Sequence, residues 1–201
     1  MRPVHRLPNL GGAKAIVLHR PHPMVTAIGR QLSAIGMRYC EAWPDLPVDA
    51  MTANFIIFDA DMGHDEQFPW APGVAPMPMI ALIGSEAPGR IQWVISQNAD
   101  AHLLKPIGNS GVFSALLIAS HAFEARKLQA AEITDLRGRV NARQTIVRAV
   151  AVLSARGIDE EQAYAQLRSL AMTWRVSMED AADQIVGWSR NGGAGEQSHI
   201  A

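Results

Sequence analysis

Little in this chain announces a chemistry. Cys40 is the single cysteine among 201 residues, so no disulfide can close within the chain, and a disulfide-stapled secreted scaffold is excluded. It reads as a small buried residue beside a strand rather than a reactive thiol. The seven histidines are scattered without ligand spacing, so no metal site is read. There is no Gly-rich phosphate loop, no Ser/His/Asp or Cys/His arrangement in recognisable context, and no defensible pair of spaced carboxylates. Neither an enzyme nor a cofactor is expected. No apolar run reaches the length of a membrane span, and Met1 to Pro23 holds no stretch that would serve as the core of a signal peptide; a cytoplasmic protein without a membrane partner is expected. The net charge of −1 gives no bulk attraction to polyanions, so any nucleic-acid recognition has to come from local patches.

What the chain does have is apolar pattern. Hydrophobic residues make up 48% of it, enough to bury a medium domain and a small one. KAIVL at 14–18 reads as a buried strand, followed by His19-Arg20-Pro21 and a helix from Met24 to Ile35 that Gly36 ends. Further strands follow at Arg38 to Trp43, Asn54 to Asp59, 79–83 and 101–104, with helical material between most of them. Strand and helix alternating at this spacing predict a five-stranded parallel sheet of α/β flavodoxin-like order. Gly63 to Pro78 is rich in Pro and Gly with little periodicity, and a short or broken helix is expected there.

From Ser110 the sequence turns helical without a clear break until Gly157. Val112, Leu116 and Leu117 fit the last helix packed on the sheet. Beyond them Ile133, Leu136, Val140, Val147 and Val150 recur at three- and four-residue steps, a coiled-coil rhythm that Arg143 interrupts. A single apolar seam with polar flanks needs a partner, either a second copy of the chain or the C-terminal helices folded back. Gly138 weakens this helix by up to about 1 kcal/mol relative to Ala.

The last part reads as three short helices. Gly157 suits a left-handed helix end, and Asp159 offers an N-cap with Gln162 three residues on. Ala163, Leu167, Leu170 and Ala171 then share one face, while Arg168 and Arg175 project from others. Ser177 and Asp180 repeat the capping signal, and Ala181, Ala182, Ile185, Val186 and Trp188 form the apolar side of the third helix. Acidic residues in the first turns, Asp159 to Glu161 and Glu179-Asp180, oppose the helix dipole and shrink the surface open to phosphate. The Gly-rich stretch from Arg190 reads as a disordered tail.

The run Ala149, Leu153, Gly157, Ala163-Tyr164, Leu167-Arg168, Ala171-Met172, Ala181, Ile185 resembles an ANTAR domain, the RNA-binding three-helix module of bacterial transcription antitermination regulators. The chain departs from that pattern in the first helix, where Ala149-Val150-Ala151 and Leu153-Ser154 stand for Ala-Lys-Gly and Leu-Met. Upstream, Asp59 at the end of the third strand and Lys105-Pro106 at the end of the fifth resemble the phospho-acceptor and Lys-Pro of response-regulator receivers. The metal-holding acidic pair after strand one is replaced by His19 and Arg20, and the hydroxyl after strand four by Ile83 or Gly84, with Ser85 one step away. Mg²⁺ needs one or two carboxylates in near-octahedral geometry. Asp61 or Asp65 would have to supply the second, and the simpler reading of Asp59 with Lys105 is a strand-end salt bridge in a vestigial phospho-acceptor pocket.

The resemblance implies a pseudo-receiver at 1–122, a coiled-coil helix at 123–141, an ANTAR module at 142–189 and a tail at 190–201. It implies a homodimer held through Ile133, Leu136 and Val140, and an antiterminator that binds hairpins in a leader transcript and so prevents terminator formation. It also implies a ligand-sensing negative-regulator protein as partner. Loop bases are read by stacking and guanidinium contacts, which makes Arg168, Arg175, Trp174 and Tyr164 the RNA-binding candidates, with Arg143 and Arg148 as phosphate contacts. For the two aromatics a place in the core competes with that role. The alternative function is a signal-relay or scaffold protein whose helical C-terminus binds another protein.

Overall fold

The computed structural model describes residues 9–155 and 157–192. The first unit is built on β1 (Lys14–Leu18), β2 (Arg38–Ala42), β3 (Phe55–Asp59), β4 (Met79–Ile83) and β5 (Ala101–Leu104). All neighbours pair in parallel, in the order β2-β1-β3-β4-β5. β3 and β4 are buried at every position and β1 at all but Lys14, as central strands covered on both faces must be. The outer strands β2 and β5 show mixed burial instead.

The period-two alternation of these strands divides their side chains between two cores. Ala15, Val17, Phe55, Ile57, Ile80 and Leu82 point to one face, where α1 (Pro23–Ala34) and the first turns of α3 (Val112–Ser154) cover them. Ile16, Leu18, Ile56, Phe58, Met79 and Ala81 point to the other, beneath α2 (Pro88–Ser96). The expected helix between Gly63 and Pro78 is reduced to one 3₁₀ turn, Asp65–Gln67. Aromatic side chains fill the space that a helix would cover: Phe68 lies edge-on to Phe58 at 5.5 Å between ring centres and stacks on Trp70 at 5.7 Å and on Trp93 at 6.4 Å. Gly63 is the reason Trp93 fits, since a Cβ there would come within 2.2 Å of the indole.

Arg126, still within this unit, forms an ion pair with Asp100 at 2.8 Å. Further along α3, residues 127–141 are all exposed. Helical propensity alone does not hold an isolated stretch of this kind, and helices are normally stabilised by a packed face.

The second unit, Gln129–Ala201, has its own core. Ala149, Val150 and Leu153 of α3 pack with Ala163, Leu167 and Ala171 of α4 (Glu160–Trp174) and with Ala181, Ala182 and Ile185 of α5 (Met178–Gly192). Val150 therefore belongs to this core, at 7% exposure, and not to a solvent-facing seam. The turns form as their chemistry dictates. Gly157 takes φ +92°, Asp159 accepts from the Gln162 amide at 2.8 Å, and Ser177 accepts from the Asp180 amide at 3.0 Å while its hydroxyl donates to the Asp180 carboxylate at 2.7 Å. Helix α5 runs through Arg190 to Gly192, so the tail expected from Arg190 does not begin there; the remainder of that tail lies outside the described residues. Trp188, expected on the apolar side of α5, is 62% exposed. Among the described residues no helix is long and apolar enough to cross a membrane.

Candidate functional site

Two places hold the residues singled out from sequence: the carboxyl ends of the strands and the surface of the three-helix unit. At the first, Asp59 is 2% exposed, and each of its carboxylate oxygens has a partner. Lys105 Nζ lies 2.5 Å from Oδ1, and His19 Nε2 lies 3.2 Å from Oδ2. Lys105 also reaches Asp61 Oδ2 at 2.8 Å. The His19 ring is fixed from its other side, where Nδ1 lies 2.6 Å from the Arg20 carbonyl. A carbonyl only accepts, so the hydrogen in this contact belongs to Nδ1. His19, which stands where a receiver would have an acid, thus turns a ring nitrogen rather than a ligand oxygen toward Asp59. Arg20 is exposed.

Asp61 was visible in the sequence only as a possible second metal carboxylate, and the structure gives it a different part. Its Oδ1 accepts from the backbone amide of Ser85 at 2.8 Å, and the Gly84 amide donates to Oδ2 at 3.0 Å. The carboxylate ties the end of β3 to the loop after β4 and to Lys105. Gly84 is what admits it: a Cβ at that position would come within 2.6 Å of Asp61 Oδ2. The Ser85 hydroxyl is turned away, accepting from the Ala87 amide at 3.3 Å. Asp65 lies apart from the pocket, where Oδ1 accepts from Trp93 and Gln97 at 2.7 Å each. Burial pushes the Asp61 carboxyl upward, but the Lys105 hydrogen bond and the two backbone amides together outweigh it and hold the group below the ordinary aspartate range.

On the three-helix unit the six RNA candidates fall into different settings. Arg143, Arg148, Arg168 and Arg175 are exposed, as is Tyr164 at 48%. Tyr164 and Arg168 are four residues apart and so are neighbours on the surface of α4, while Arg175 caps its carboxyl end. Trp174 is half-buried against the core and meets Trp188 edge-on at 5.4 Å. Trp188, whose helical spacing suits packing, is the more open member of that pair. Arg175 ends α4 in the left-handed region at φ +57°, and its amide donates to the Met172 carbonyl at 3.2 Å. Glycine is the residue that takes this position without strain; a side chain there costs about 1–2 kcal/mol. At Cys40, burial pushes the thiol above its ordinary value, which lowers its thiolate fraction.

The Asp61 geometry sets a pH dependence. A carboxyl held low by folding contributes stability that is full above its unfolded value, about 3.9, and is lost as pH falls through the folded value. Asp61→Asn should therefore cost about 1–2 kcal/mol at neutral pH. In urea melts at a series of pH values, its deficit relative to wild type should shrink below about pH 4.

The family comparisons agree with this two-part layout. The model of the AmiR N-terminal domain matches residues 13–120, more than half of the chain, and the ANTAR domain model matches residues 134–186. No curated protein matches the chain. Similar solved structures include a chemotaxis response regulator of Vibrio cholerae, at 16% identity over 54% of this chain and 99% of its own, with a TM-score of 0.44. A CheY-like response regulator from Mesorhizobium loti is 15% identical over 52% of this chain and 96% of its own, with a TM-score of 0.42. One from Thermotoga maritima is 15% identical over 52% and 94%, with a TM-score of 0.41. The chain belongs to the AmiR-type ANTAR family, RNA-binding antitermination regulators of the response-regulator type.

Proposed function

We propose that this regulator works as a cytoplasmic homodimer, independent of phosphorylation, that binds hairpins in a leader transcript and keeps the terminator from forming. Arg175 carries the assignment of the RNA surface. A cation in a backbone conformation that favours glycine, at φ +57°, is a strained feature that a use of the side chain accounts for. Arg168 is likewise exposed, on α4 itself, and the Trp174–Trp188 pair offers stacking area for unpaired bases. Phosphorylation independence is supported by the strand-end pocket: both oxygens of Asp59 are already met, by Lys105 and by His19. We assign residues 1–122 to the pseudo-receiver, 123–141 to the coiled-coil helix and 142–189 to the RNA module. Control then enters through a ligand-sensing negative-regulator protein that releases the dimer when its small-molecule inducer binds.

The dimer is supported by Ile133, Leu136 and Val140, which are 48–53% exposed on α3. Lettered as a heptad from Ile133 at position a, the helix has Ile133, Val140 and Val147 at a and Leu136 at d. β-branched residues at a with Leu at d favour two parallel strands. In that arrangement Glu132 at g faces the partner's Arg137 at e, an opposite-charge pair that an antiparallel coil would lose. Gly138 falls at f, the outermost position, and a Cβ there would meet nothing within 4 Å. Arg143 falls at d, which sets register at some expense of stability and takes this arginine away from RNA.

Replacing Leu136 and Val140 with Asp should give monomers in light scattering; a persistent dimer would rule out this interface. RNA binding is tested by salt-dependent gel shifts with a hairpin leader transcript. Arg168→Ala or Arg175→Ala should weaken binding by roughly 1–3 kcal/mol for a base contact, or lower the salt slope by about one for a phosphate contact. Arg175→Gly separates fold from function. Relief of about 1–2 kcal/mol of strain against the entropy of glycine, about 0.5–1 kcal/mol, should leave the module as stable or slightly more so while RNA affinity falls. Unchanged affinity in an Arg168→Ala/Arg175→Ala protein with an intact fold would move the surface off α4.

A further inference from the structure

A groove of about 520 Å³ opens on the three-helix unit between α3 and the first turns of α4. Ile146, Val147 and Val150 form one wall, and Glu160, Glu161 and Tyr164 the other. Val147 is 67% exposed, an unusual state for a valine facing a concave surface. Among the described residues neither glutamate has an ionic partner.

We propose that this groove is occupied by α3 of a second copy of the chain, so that the dimer interface runs past the coiled coil and into the RNA module. The proposal rests on the parallel dimer argued above and extends it by two further observations. The first is continuity of register. Val147 and Val150 are the a and d residues of the heptad after Val140, so beyond Arg143 the register leads from the exposed seam into the groove wall, where Val150 is shared with the module's core. The second is charge. Between Asp135 and Asp159, α3 has no acidic residue and carries Arg137, Arg139, Arg143 and Arg148, while the facing wall of the groove carries Glu160 and Glu161.

The register also says which charges meet. Ile146 and Leu153 stand at g and pack toward α4 and α5, so α4 lies along the g side of the seam. In a parallel two-stranded coil the g side of one helix faces the e side of the other. That edge of the partner presents Gln144 and Ala151 at e and Arg148 at the adjoining b position. The partner's Arg148 therefore lies over Glu160 and Glu161 at the level of Val147, and by two-fold symmetry the contact occurs twice. Tyr164 closes the apolar end of the groove. Two residues that the sequence suggested for RNA, Tyr164 and Arg148, are thereby assigned to the dimer, and α4, with Arg168 and Arg175 on it, is braced by both copies.

The test is a charge exchange in the full chain, read by sedimentation equilibrium at low and high salt. Glu160→Lys/Glu161→Lys and Arg148→Glu should each raise the dimer dissociation constant about ten-fold at low salt, and much less at high salt. Combining the three substitutions should bring it back to within about three-fold of wild type. Wild-type dimerisation in either single set, or no recovery in the combination, overturns the proposal. Failure of the parent reading looks different: there Leu136→Asp/Val140→Asp stays dimeric, whereas loss of that dimer with indifferent charge variants keeps the coil and rejects only the groove. Val147→Cys in a Cys40→Ala chain gives a measurement that does not depend on charge. Oxidation should link the two copies through residue 147, whose Cα atoms approach disulfide distance only in a parallel, in-register pair; absence of the link likewise overturns the proposal.

Discussion

Two carboxylates brought together at the end of a parallel sheet repel unless cations meet them, and in this chain the cation is built in. Lys105 touches both Asp59 and Asp61, and His19 covers the remaining oxygen of Asp59. The arrangement depends on one absent atom. Gly84 has no Cβ, so the Asp61 carboxylate reaches the two amides after β4 and takes the role of a fixed anion there. A pocket whose acceptors and donors are already matched has no vacancy for an incoming group to exploit. On the proposed reading the sheet unit is a constant structure rather than a switch, and regulation is displaced to the helices.

The helical part has the opposite character, with unmatched groups along its length. Ile133, Leu136, Val140 and Val147 all face solvent in the single chain, and Glu160 and Glu161 stand across a groove from the apolar wall of Ile146, Val147 and Val150. Burying such a row is worth about 1.5–3 kcal/mol per fully covered side chain before the cost of association. The three-helix core is small and rich in alanine, with Ala149, Ala163, Ala171, Ala181 and Ala182 at its centre. Small residues let the helices approach closely but bury little area each, so the proposed second copy against α3 and α4 would add support where the module's own core supplies least.

Much of this was legible in the sequence because it rests on local rules. The strands announced themselves as short apolar runs, and the caps at Asp159 and Ser177 and the glycine turn at Gly157 form as their residue types require. The pairing of Asp59 with Lys105 followed from their positions at two strand ends. Other features are tertiary and left no local mark. The sheet face beside the β3–β4 connection is covered by the aromatic rings of Phe58, Phe68, Trp70 and Trp93, which come from three separate stretches of sequence. His19 looked like a mere loss of acid until its ring was seen on Asp59, and Asp61 gained its role only through Gly84. Trp188 obeys helical spacing for the core, yet it touches Trp174 only edge-on and stays 62% exposed. Val150 keeps the heptad rhythm but is claimed by the module's core, where seam and core share one helix.

Removing covalent control from the sheet and placing it on the dimer is the central claim, and the most direct measurement of it is RNA affinity with and without a phosphoryl donor. The dimer would be titrated with leader RNA in Mg²⁺, then again with acetyl phosphate or beryllium fluoride present, with phosphate on Asp59 assayed in the same samples. The account gives superimposable binding curves and no phosphate at Asp59, because Lys105 and His19 already hold both of its oxygens. Stoichiometric phosphate on Asp59 with a shift in RNA affinity or in the dimer constant would contradict it.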